Sequence, residues 1–224
     1  MTDTTNTPDL HNFLNRMIHG DCIEVMRTMP DASVDLVITD PPYLVNYRSR
    51  DGRTIAGDGN GSWLRPAFVE MHRVLRPHSF CISFYGWNKV DRFMAAWRAI
   101  GFTPVGHFTC PKSYSSSVGF TQGRHESAFL LAKGRPAKPS QPPRDVLPWH
   151  YTGNGLHPTQ KPVSALKPLI EAYSAAGAII LDPFAGSGTT AVAASQAGRG
   201  YIAIEKDMAY YQKAQERLAR TPLL

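Results

Sequence analysis

The last third of the sequence alternates between helical patterns and apolar runs, and this alternation constrains the fold more than any other feature. The order is helix, strand, helix, strand, helix, at residues 163–174, 178–182, 189–197, 200–205 and 208–220. Strands that alternate with helices are joined by right-handed crossovers and pair in parallel. The sequence therefore predicts an α/β fold with a mostly parallel sheet that is covered by helices on both faces.

The first two thirds predict further elements of the same kind. Strands are expected at 16–20, 34–39, 79–84, 102–109 and 126–134, and helices at 22–29, 63–77 and 90–100. The last two of these strands follow each other without an intervening helix, so this part of the sheet is expected to be antiparallel. With 224 residues and no internal repeat, we expect one domain over residues 1–224.

Three segments lack the periodicity of a helix or a strand. Residues 1–12 are polar and predict a flexible tail. Residues 44–62 are rich in Gly, Asp and Arg and predict a long mobile loop, and loops of this length in compact domains usually serve function. Residues 134–156 are dense in proline and net basic, which predicts a surface arm rather than core.

The composition and the charge of the chain indicate which kinds of partner, metal site and location to expect. A net charge of +6 and an isoelectric point near 9.3 favour a polyanionic partner, although basic proteins exist that bind no nucleic acid. Cys22, Cys81 and Cys110 lie far apart and form no metal-binding motif, so neither a disulfide nor a metal site is expected. No signal-peptide pattern opens the chain, and no apolar stretch approaches the roughly 18 residues of a membrane span. We expect a soluble cytoplasmic protein.

The segment "LDPFAGSGTTAVAA" passes from a strand through Gly186 and Gly188 into a helix at Thr189. Glycines allow a tight turn and a close approach, and the helix N-terminus offers free amide donors. No Lys follows Gly188, which excludes the usual phosphate-binding loop. The next strand ends at Glu205, where a carboxylate can accept hydrogen bonds from ribose hydroxyls. An ordinary turn is the alternative, but the combination favours an adenosine-type cofactor site.

The segment "TDPPY" follows the apolar run 34–39. Pro41 and Pro42 fix the backbone after Asp40, so that a carboxylate and a main-chain carbonyl can face the same spot. Two neighbouring acceptors suit an exocyclic amino group, and Tyr43 offers a flat face to the ring that carries it. We interpret these four residues as a site that activates an aromatic amine.

The segment "LHPTQKP" places Thr159 and Lys161 in a rigid frame just before a helix. It is either a stiff connection into that helix or a site where Lys161 and Thr159 meet the charged end of a ligand. His125, Trp63 and Trp87 are interpreted as structural, because a lone His or Trp near apolar neighbours is usually packed.

"DPPY" together with "DPFAGSGTT" resembles the amino-group DNA methyltransferases that use S-adenosylmethionine. Because the catalytic motif precedes the glycine motif, the order is similar to that of their β group. The segments that match, in the family's order, are "GDCIEVM", "TDPPY", "RHESAFLLAKG", "HPTQKP", "DPFAGSGTT" and "YIAIE". Methylases of protein glutamine and of ribosomal RNA usually place the cofactor loop first, and the order disfavours those substrates. The resemblance implies a Rossmann-like methyltransferase fold with a seven-stranded sheet and a circularly permuted motif order.

The resemblance also implies roles for individual residues. The residues that would bind S-adenosylmethionine are Asp21, Cys22, Thr159, Lys161, Asp182, Phe184, Gly186, Gly188, Thr189 and Glu205. Of these, Glu205 would hold the ribose, and Asp21 and Cys22 would border the adenine. Lys161 and Thr159 would meet the methionine carboxylate. Asp40, Pro41, Pro42 and Tyr43 would be catalytic and would hold the target base.

The implied activity is the site-specific methylation of N6 of an adenine that is flipped out of double-stranded DNA. An initial Asp in the catalytic motif leans toward adenine, since relatives that act on N4 of cytosine more often begin it with Ser. Methylation of cytosine N4, methylation of RNA, and a DNA-binding module that has lost catalysis are the alternatives.

The recognition region departs from that of many relatives, which carry a large module between "AKG" and "HPTQKP". Only the arm 134–156 is available here. Specificity is therefore expected to be loose, or to depend on Arg48, Arg50 and Arg53 of the loop and on a second subunit in a homodimer. The alternative for these arginines is a solvated loop.

Overall fold

The computed structural model of the chain describes residues 9–45, 52, 57–115, 117–149 and 160–221. The strands are β1 (Arg16–His19), β2 (Val34–Thr39), β3 (Leu75–Phe84), β4 (Phe102–Pro111), β5 (Ser117–Val118), β6 (Gln122–Gly123), β7 (His125–Lys133), β8 (Ile179–Asp182) and β9 (Gly200–Glu205). The helices are α1 (Cys22–Arg27), α2 (Leu64–Val74), α3 (Val90–Ile100), α4 (Val163–Tyr173), α5 (Thr189–Gln196) and α6 (Met208–Ala219).

Seven strands form one sheet in the order β1-β9-β8-β2-β3-β7-β4, and β5 and β6 form a second, two-stranded sheet. Strand β7 runs antiparallel to both of its neighbours, whereas the other neighbouring strands of the sheet are parallel. The predicted α/β fold with a mostly parallel seven-stranded sheet is confirmed. The antiparallel part includes the predicted pair of β4 and β7, which no helix separates in sequence, and also the pair of β3 and β7.

Helices cover both faces of the sheet, because alternate residues of the central strands point to opposite sides. On β2, Leu36 and Ile38 belong to the apolar cluster under α4 and α5, where Leu169 is fully buried. Val37, between them, belongs to the cluster under α1, α2 and α3, which includes the fully buried Trp97. Because the helices cover the two faces, the loops that follow several strands meet at the carboxyl edge of the sheet.

Helix α2 is shorter than predicted, and β3 is longer. The helix was expected to reach Pro77, but it ends at Val74. Leu75 has extended backbone and pairs with Val34 of β2. Pro77 has no backbone N–H and disfavours helical backbone in the residue before it, so the chain leaves the helix early.

The three segments predicted to lack regular structure differ in outcome. Residues 1–8, 46–51, 53–56 and 150–156 lie outside the described residues, and Leu10–Asn12 form one turn of 3-10 helix. The described part of 44–62 contains no helix or strand. The arm 134–156 is not wholly a surface element, because Leu147 is buried and its N–H donates to the Thr109 carbonyl at 2.9 Å. An apolar side chain within a proline-rich stretch gives the arm this contact with the core.

None of the helices in the described ranges is long and apolar enough to span a bilayer.

Candidate active site

Strands β1, β2, β8 and β9 are parallel neighbours, so their carboxyl ends lie at one edge of the sheet. Asp40 follows β2, Asp182 ends β8, Glu205 ends β9, and Asp21 follows β1 by two residues. All four carboxylates line one cavity at this edge. Among the predicted site residues in the described ranges, the cavity is lined by Asp21, Cys22, Asp40, Pro41, Pro42, Tyr43, Lys161, Asp182, Phe184, Gly186, Thr189 and Glu205.

The Asp-Pro-Pro-Tyr segment is held by a compact hydrogen-bond network. The Tyr43 hydroxyl donates to Asp40 Oδ1 at 2.7 Å. Lys161 Nζ lies 2.7 Å from Asp40 Oδ2 and 3.2 Å from the Tyr43 hydroxyl. Gly86 lets this segment approach β3, because a Cβ at that position would lie 2.9 Å from the Tyr43 Cβ. The Asp-Pro-Pro-Tyr segment is therefore held from both sides.

Glu126 of β7 also belongs to this network, although no role was predicted for it from the sequence. Its Oε2 lies 3.2 Å from the Tyr43 hydroxyl and 3.9 Å from Lys161 Nζ. Its Oε1 accepts a hydrogen bond from Lys112 Nζ at 2.7 Å. The network thus contains two lysines and two carboxylates, which balance each other in charge. The matched segment "RHESAFLLAKG" contains Glu126, but no sequence pattern indicated that Lys112 would contact it.

Burial and ion pairing compete in setting the pKa values of this network. Burial raises the pKa of the Asp40 carboxyl, and the nearby Lys161 ammonium offsets only part of this rise. Burial also acts to raise the pKa of Glu126, but Lys161 and Lys112 outweigh it and lower the net pKa. For Lys161, burial acts to lower the pKa, but Asp40 and Glu126 outweigh it and keep the ammonium charged.

Two carboxylates hold the glycine turn between β8 and α5. Asp182 accepts from the Phe184 N–H at 3.1 Å and from the Thr190 hydroxyl at 2.5 Å. Glu205 Oε2 accepts from the Gly186 N–H at 2.8 Å. Burial raises the pKa of Asp182 to about 7, and the hydrogen bond from Thr190 offsets part of that effect.

Gly188 supports this turn without lining the cavity. Its φ is +75°, and a Cβ there would lie 3.2 Å from the Ala214 Cβ of α6. A side chain at this position would be both strained and crowded. Gly188 was predicted to line the cofactor, but at this turn the cavity is lined by Gly186 and Thr189 and not by Gly188.

The cavity suits an adenosine group in its donors, acceptors and aromatic faces. Each Glu205 carboxylate oxygen accepts one backbone N–H, and a carboxylate has further lone pairs for ribose hydroxyls. Asp21 caps α1 through the Ile23 N–H and pairs with Lys206 Nζ at 3.0 Å. Phe184 packs edge-to-face on Trp63, with 5.1 Å between ring centroids.

Of the three residues interpreted as packed and structural, only Trp63 packs against the core, where it is partly buried. Trp63 lines the cavity, so it belongs to the candidate site. Trp87 is 76% exposed and is not a packed residue, because it lies in a 3-10 turn just beyond the end of β3. His125 is also exposed, at the start of β7.

Some of the predicted site residues lie outside the described structure, and another makes a different contact from the one predicted. Thr159 and the loop residues Arg48, Arg50 and Arg53 lie outside the described residues. Lys161, expected at the methionine carboxylate, has its ammonium on Asp40. The three cysteines are free and buried. No group of three or more His, Cys, Asp or Glu side chains in the described ranges is arranged to hold a metal ion.

The chain is similar in sequence to known proteins of one family. Residues 34–216 match the family model described as DNA methylase, of the N6/N4 type. The candidate methylase YubD of Escherichia coli K12 is 56% identical over 206 residues, which cover 92% of this chain and 91% of that protein.

Solved structures share the fold at lower identity. The crystal structure of M1.HpyAVI in complex with SAM has a TM-score of 0.74 at 22% identity and covers 91% of this chain and 98% of that one. The PvuII DNA methyltransferase, described as cytosine-N4-specific, has a TM-score of 0.73 at 18% identity and covers 90% and 85% of the two chains. The family match over most of the chain, with the site geometry, leads to one conclusion: this chain belongs to the DNA methylase family of the N6/N4 type.

Proposed function

We propose that this chain transfers a methyl group from S-adenosylmethionine to the exocyclic N6 of an adenine in double-stranded DNA. The observation that carries the proposal is the cavity shared by the Asp-Pro-Pro-Tyr segment and the glycine turn held by Glu205. A site that activates an amine and a site for an adenosine group are then contiguous, which a transfer between the two requires.

The cofactor half of the cavity would hold S-adenosylmethionine, which supplies an electrophilic methyl group on a positively charged sulfur. Glu205 would accept hydrogen bonds from the ribose, and Asp21 and Cys22 would border the adenine. Burial raises the pKa of the Cys22 thiol to about 12, so this thiol is neutral and acts as an apolar wall. Phe184, Gly186 and Thr189 would line the remainder, together with Asp182.

The catalytic half would hold and polarise the target amine. Asp40 accepts a hydrogen bond from the amino group and thereby favours the electron distribution in which nitrogen attacks. Pro41 and Pro42 fix the backbone on which Asp40 stands. The Tyr43 ring stacks on the flipped base, a contact worth about 1–3 kcal/mol, which offsets part of the cost of flipping.

The transfer is direct and uses no covalent enzyme intermediate. Burial raises the pKa of Cys110 to about 11 and also that of Cys81. Neither thiol is a wall of the cavity, and both are neutral near pH 7. The proton that the amine loses after methyl transfer goes to solvent, with Asp40 as the nearest carboxylate to accept it on the way.

Adenine is the proposed base because the catalytic segment begins with Asp. Cytosine N4 is the second candidate. It is retained because the chain shares its fold with a methyltransferase described as cytosine-N4-specific. The geometric demand on the two amines is the same, so the choice depends on the shape of the base pocket. Contacts of Arg48, Arg50 and Arg53 with DNA phosphates, a role of Thr159 at the cofactor, and a homodimer belong to the same proposal.

The substrate class is tested by methyl transfer from labelled S-adenosylmethionine to three acceptors: unmodified duplex DNA, single-stranded DNA and RNA of matched composition. We expect label in duplex DNA, and none when Asp40→Ala replaces the unsubstituted protein. Label in RNA alone would move the substrate to RNA. Cofactor binding without label in any acceptor would indicate a DNA-binding protein without catalysis.

A further inference from the structure

Both oxygens of the Asp40 carboxylate are already engaged by groups of the protein. The Tyr43 hydroxyl donates to Oδ1, and Lys161 Nζ lies 2.7 Å from Oδ2. An ammonium group and an exocyclic amine are both N–H donors, so Lys161 occupies a side of the carboxylate where an amine would bind. The target amine must compete with Lys161 for Asp40.

Glu126 is a second carboxylate within reach of the Lys161 ammonium. Its Oε2 lies 3.9 Å from Lys161 Nζ. This is about 1 Å longer than a hydrogen bond between an ammonium and a carboxylate. A small rotation of the lysine side chain would therefore move its hydrogen bond from Asp40 to Glu126.

Glu126 is held in place to receive this charge. Lys112 Nζ lies 2.7 Å from Oε1, and the Lys112 side chain is only 2% exposed. The backbone N–H of Lys112 donates to the Arg124 carbonyl at 2.7 Å, which fixes it at the junction of β4 and β7. Since Lys112 pairs with one oxygen of Glu126, the other oxygen faces Lys161.

Three aromatic rings surround the ammonium along this path. Lys161 Nζ lies 5.0 Å from the centroid of the Phe84 ring, 5.5 Å from that of Tyr43 and 5.9 Å from that of Trp149. A cation over aromatic faces is stabilised without depending on one hydrogen-bond partner. The rings would therefore stabilise Lys161 on either carboxylate.

We propose that Glu126 is a positioning residue that receives the Lys161 ammonium when the amino group of the target base binds Asp40. The inference rests on the function proposed above and adds a role for Glu126, which acts through Lys161. The exchange leaves the net charge of the buried network unchanged. Only a base that carries an amino group displaces Lys161, so Glu126 contributes to the selection of the amine.

The test compares the DNA affinity of the unsubstituted protein and of Glu126→Gln, both saturated with S-adenosylhomocysteine. One duplex carries adenine at the methylated position, and the other carries purine there, which lacks the amino group. For a cytosine target the corresponding pair is cytosine and pyrimidin-2-one. Gln keeps the size of Glu126 but removes its charge. We expect the variant to lose about tenfold or more in affinity for the adenine duplex and nothing for the purine duplex.

An equal loss on both duplexes would overturn the proposal in favour of a structural role, and so would no loss on either. If Glu126→Gln does not fold, the double variant Lys112→Met with Glu126→Gln removes one charge of each sign, and the same selective loss is expected. Methylation of the adenine duplex by the unsubstituted protein is measured separately. Its absence would contradict the proposed function, whereas the ratio of the two affinities reports on Glu126.

Discussion

Lys161 Nζ lies 2.7 Å from Asp40 Oδ2, so the proposed amine-binding carboxylate is paired with a lysine that comes from more than a hundred residues later in the chain. The pair joins the end of β2 to the segment that precedes α4. Lys161 is buried and Asp40 is partly buried, and the network continues to Glu126 on β7. The two halves of the candidate site therefore share one electrostatic network, and each of its members is a target for substitution.

Removal of Lys161 should destabilise the protein strongly. Lys161→Met leaves the Asp40 carboxylate without its cation in a buried site, which costs about 3–5 kcal/mol when one partner of such a pair is lost. Lys167→Met is the matched control, because the exposed pair of Lys167 with Glu171 at 3.6 Å should contribute less than about 0.5 kcal/mol. Urea unfolding measures both. If both substitutions changed the free energy of unfolding equally, the pair of Lys161 with Asp40 would contribute no more stability than an exposed pair.

Asp40→Asn should remove turnover and keep the cofactor site. The amide is a weaker acceptor for the target amine, and we expect kcat to fall by about a hundredfold or more. Affinity for S-adenosylmethionine, measured by calorimetry, should change little. Asp91→Asn, on the exposed surface of α3, is the control and should keep full activity. Wild-type turnover in Asp40→Asn would refute the assigned role.

Glu205→Ala should weaken cofactor binding. The substitution removes the acceptor proposed for the ribose and the partner of the Gly186 N–H. Loss of a charged hydrogen-bond partner corresponds to about ten- to a hundredfold in affinity. The control is Glu216→Ala, an exposed residue of α6 that should not change the affinity. Calorimetric titration with S-adenosylmethionine tests both, and an unchanged affinity in Glu205→Ala would place the ribose elsewhere.

Gly86→Ala should lower activity by displacing the Asp-Pro-Pro-Tyr segment, which is proposed to be catalytic. The new Cβ would lie 2.9 Å from the Tyr43 Cβ and 3.0 Å from the Tyr43 carbonyl oxygen, so Tyr43 must move. A displacement of this size in a reacting geometry lowers kcat by about ten- to a hundredfold. In Gly119→Ala the added Cβ has no neighbour within 4 Å, and activity should be kept. Equal activity of both variants would show that the segment tolerates the shift.

The stability of the protein without cofactor should depend on pH through Asp182. Burial raises its pKa from 3.8 to about 7 in the folded state, so between these values the folded protein binds more protons than the unfolded chain. The contribution of Asp182 is therefore fully present below about pH 4 and is lost as the pH rises to about 7. Asp182→Asn should flatten this part of the curve of unfolding free energy against pH. An unchanged slope would show that Asp182 is already ionised in the fold.

Residues that follow apolar strands were predictable in position, because parallel strands bring their carboxyl ends to one edge. Asp40 and Glu205 were placed at that edge from sequence alone, and both line the cavity. Lys112 and Glu126 could not be placed in the same way. The segment around Lys112 reads as an ordinary polar loop, and its burial depends on the antiparallel pairing of β4 with β7.

Predictions from helical periodicity, composition or residue type were also wrong at a few positions. Leu75 fits the helical period of α2, but its pairing with Val34 and the proline two residues later favour the strand. Leu147 lies in a proline-rich arm, where composition indicates a surface, yet it is buried against β4. Trp87 is exposed although its type suggests packing. For Leu75 and Leu147 the deciding contact comes from another part of the chain.

The most direct test of the central claim is to identify the nucleoside that this protein modifies. Purified protein is incubated with S-adenosylmethionine and unmodified duplex DNA, the DNA is digested to nucleosides, and methylated species are identified by mass spectrometry. We expect N6-methyladenine, and far less of it when Asp40→Asn is used. N4-methylcytosine would contradict the proposed base but would still support the proposed site. DNA without any methylated nucleoside would contradict the proposal that this cavity methylates an amine in DNA.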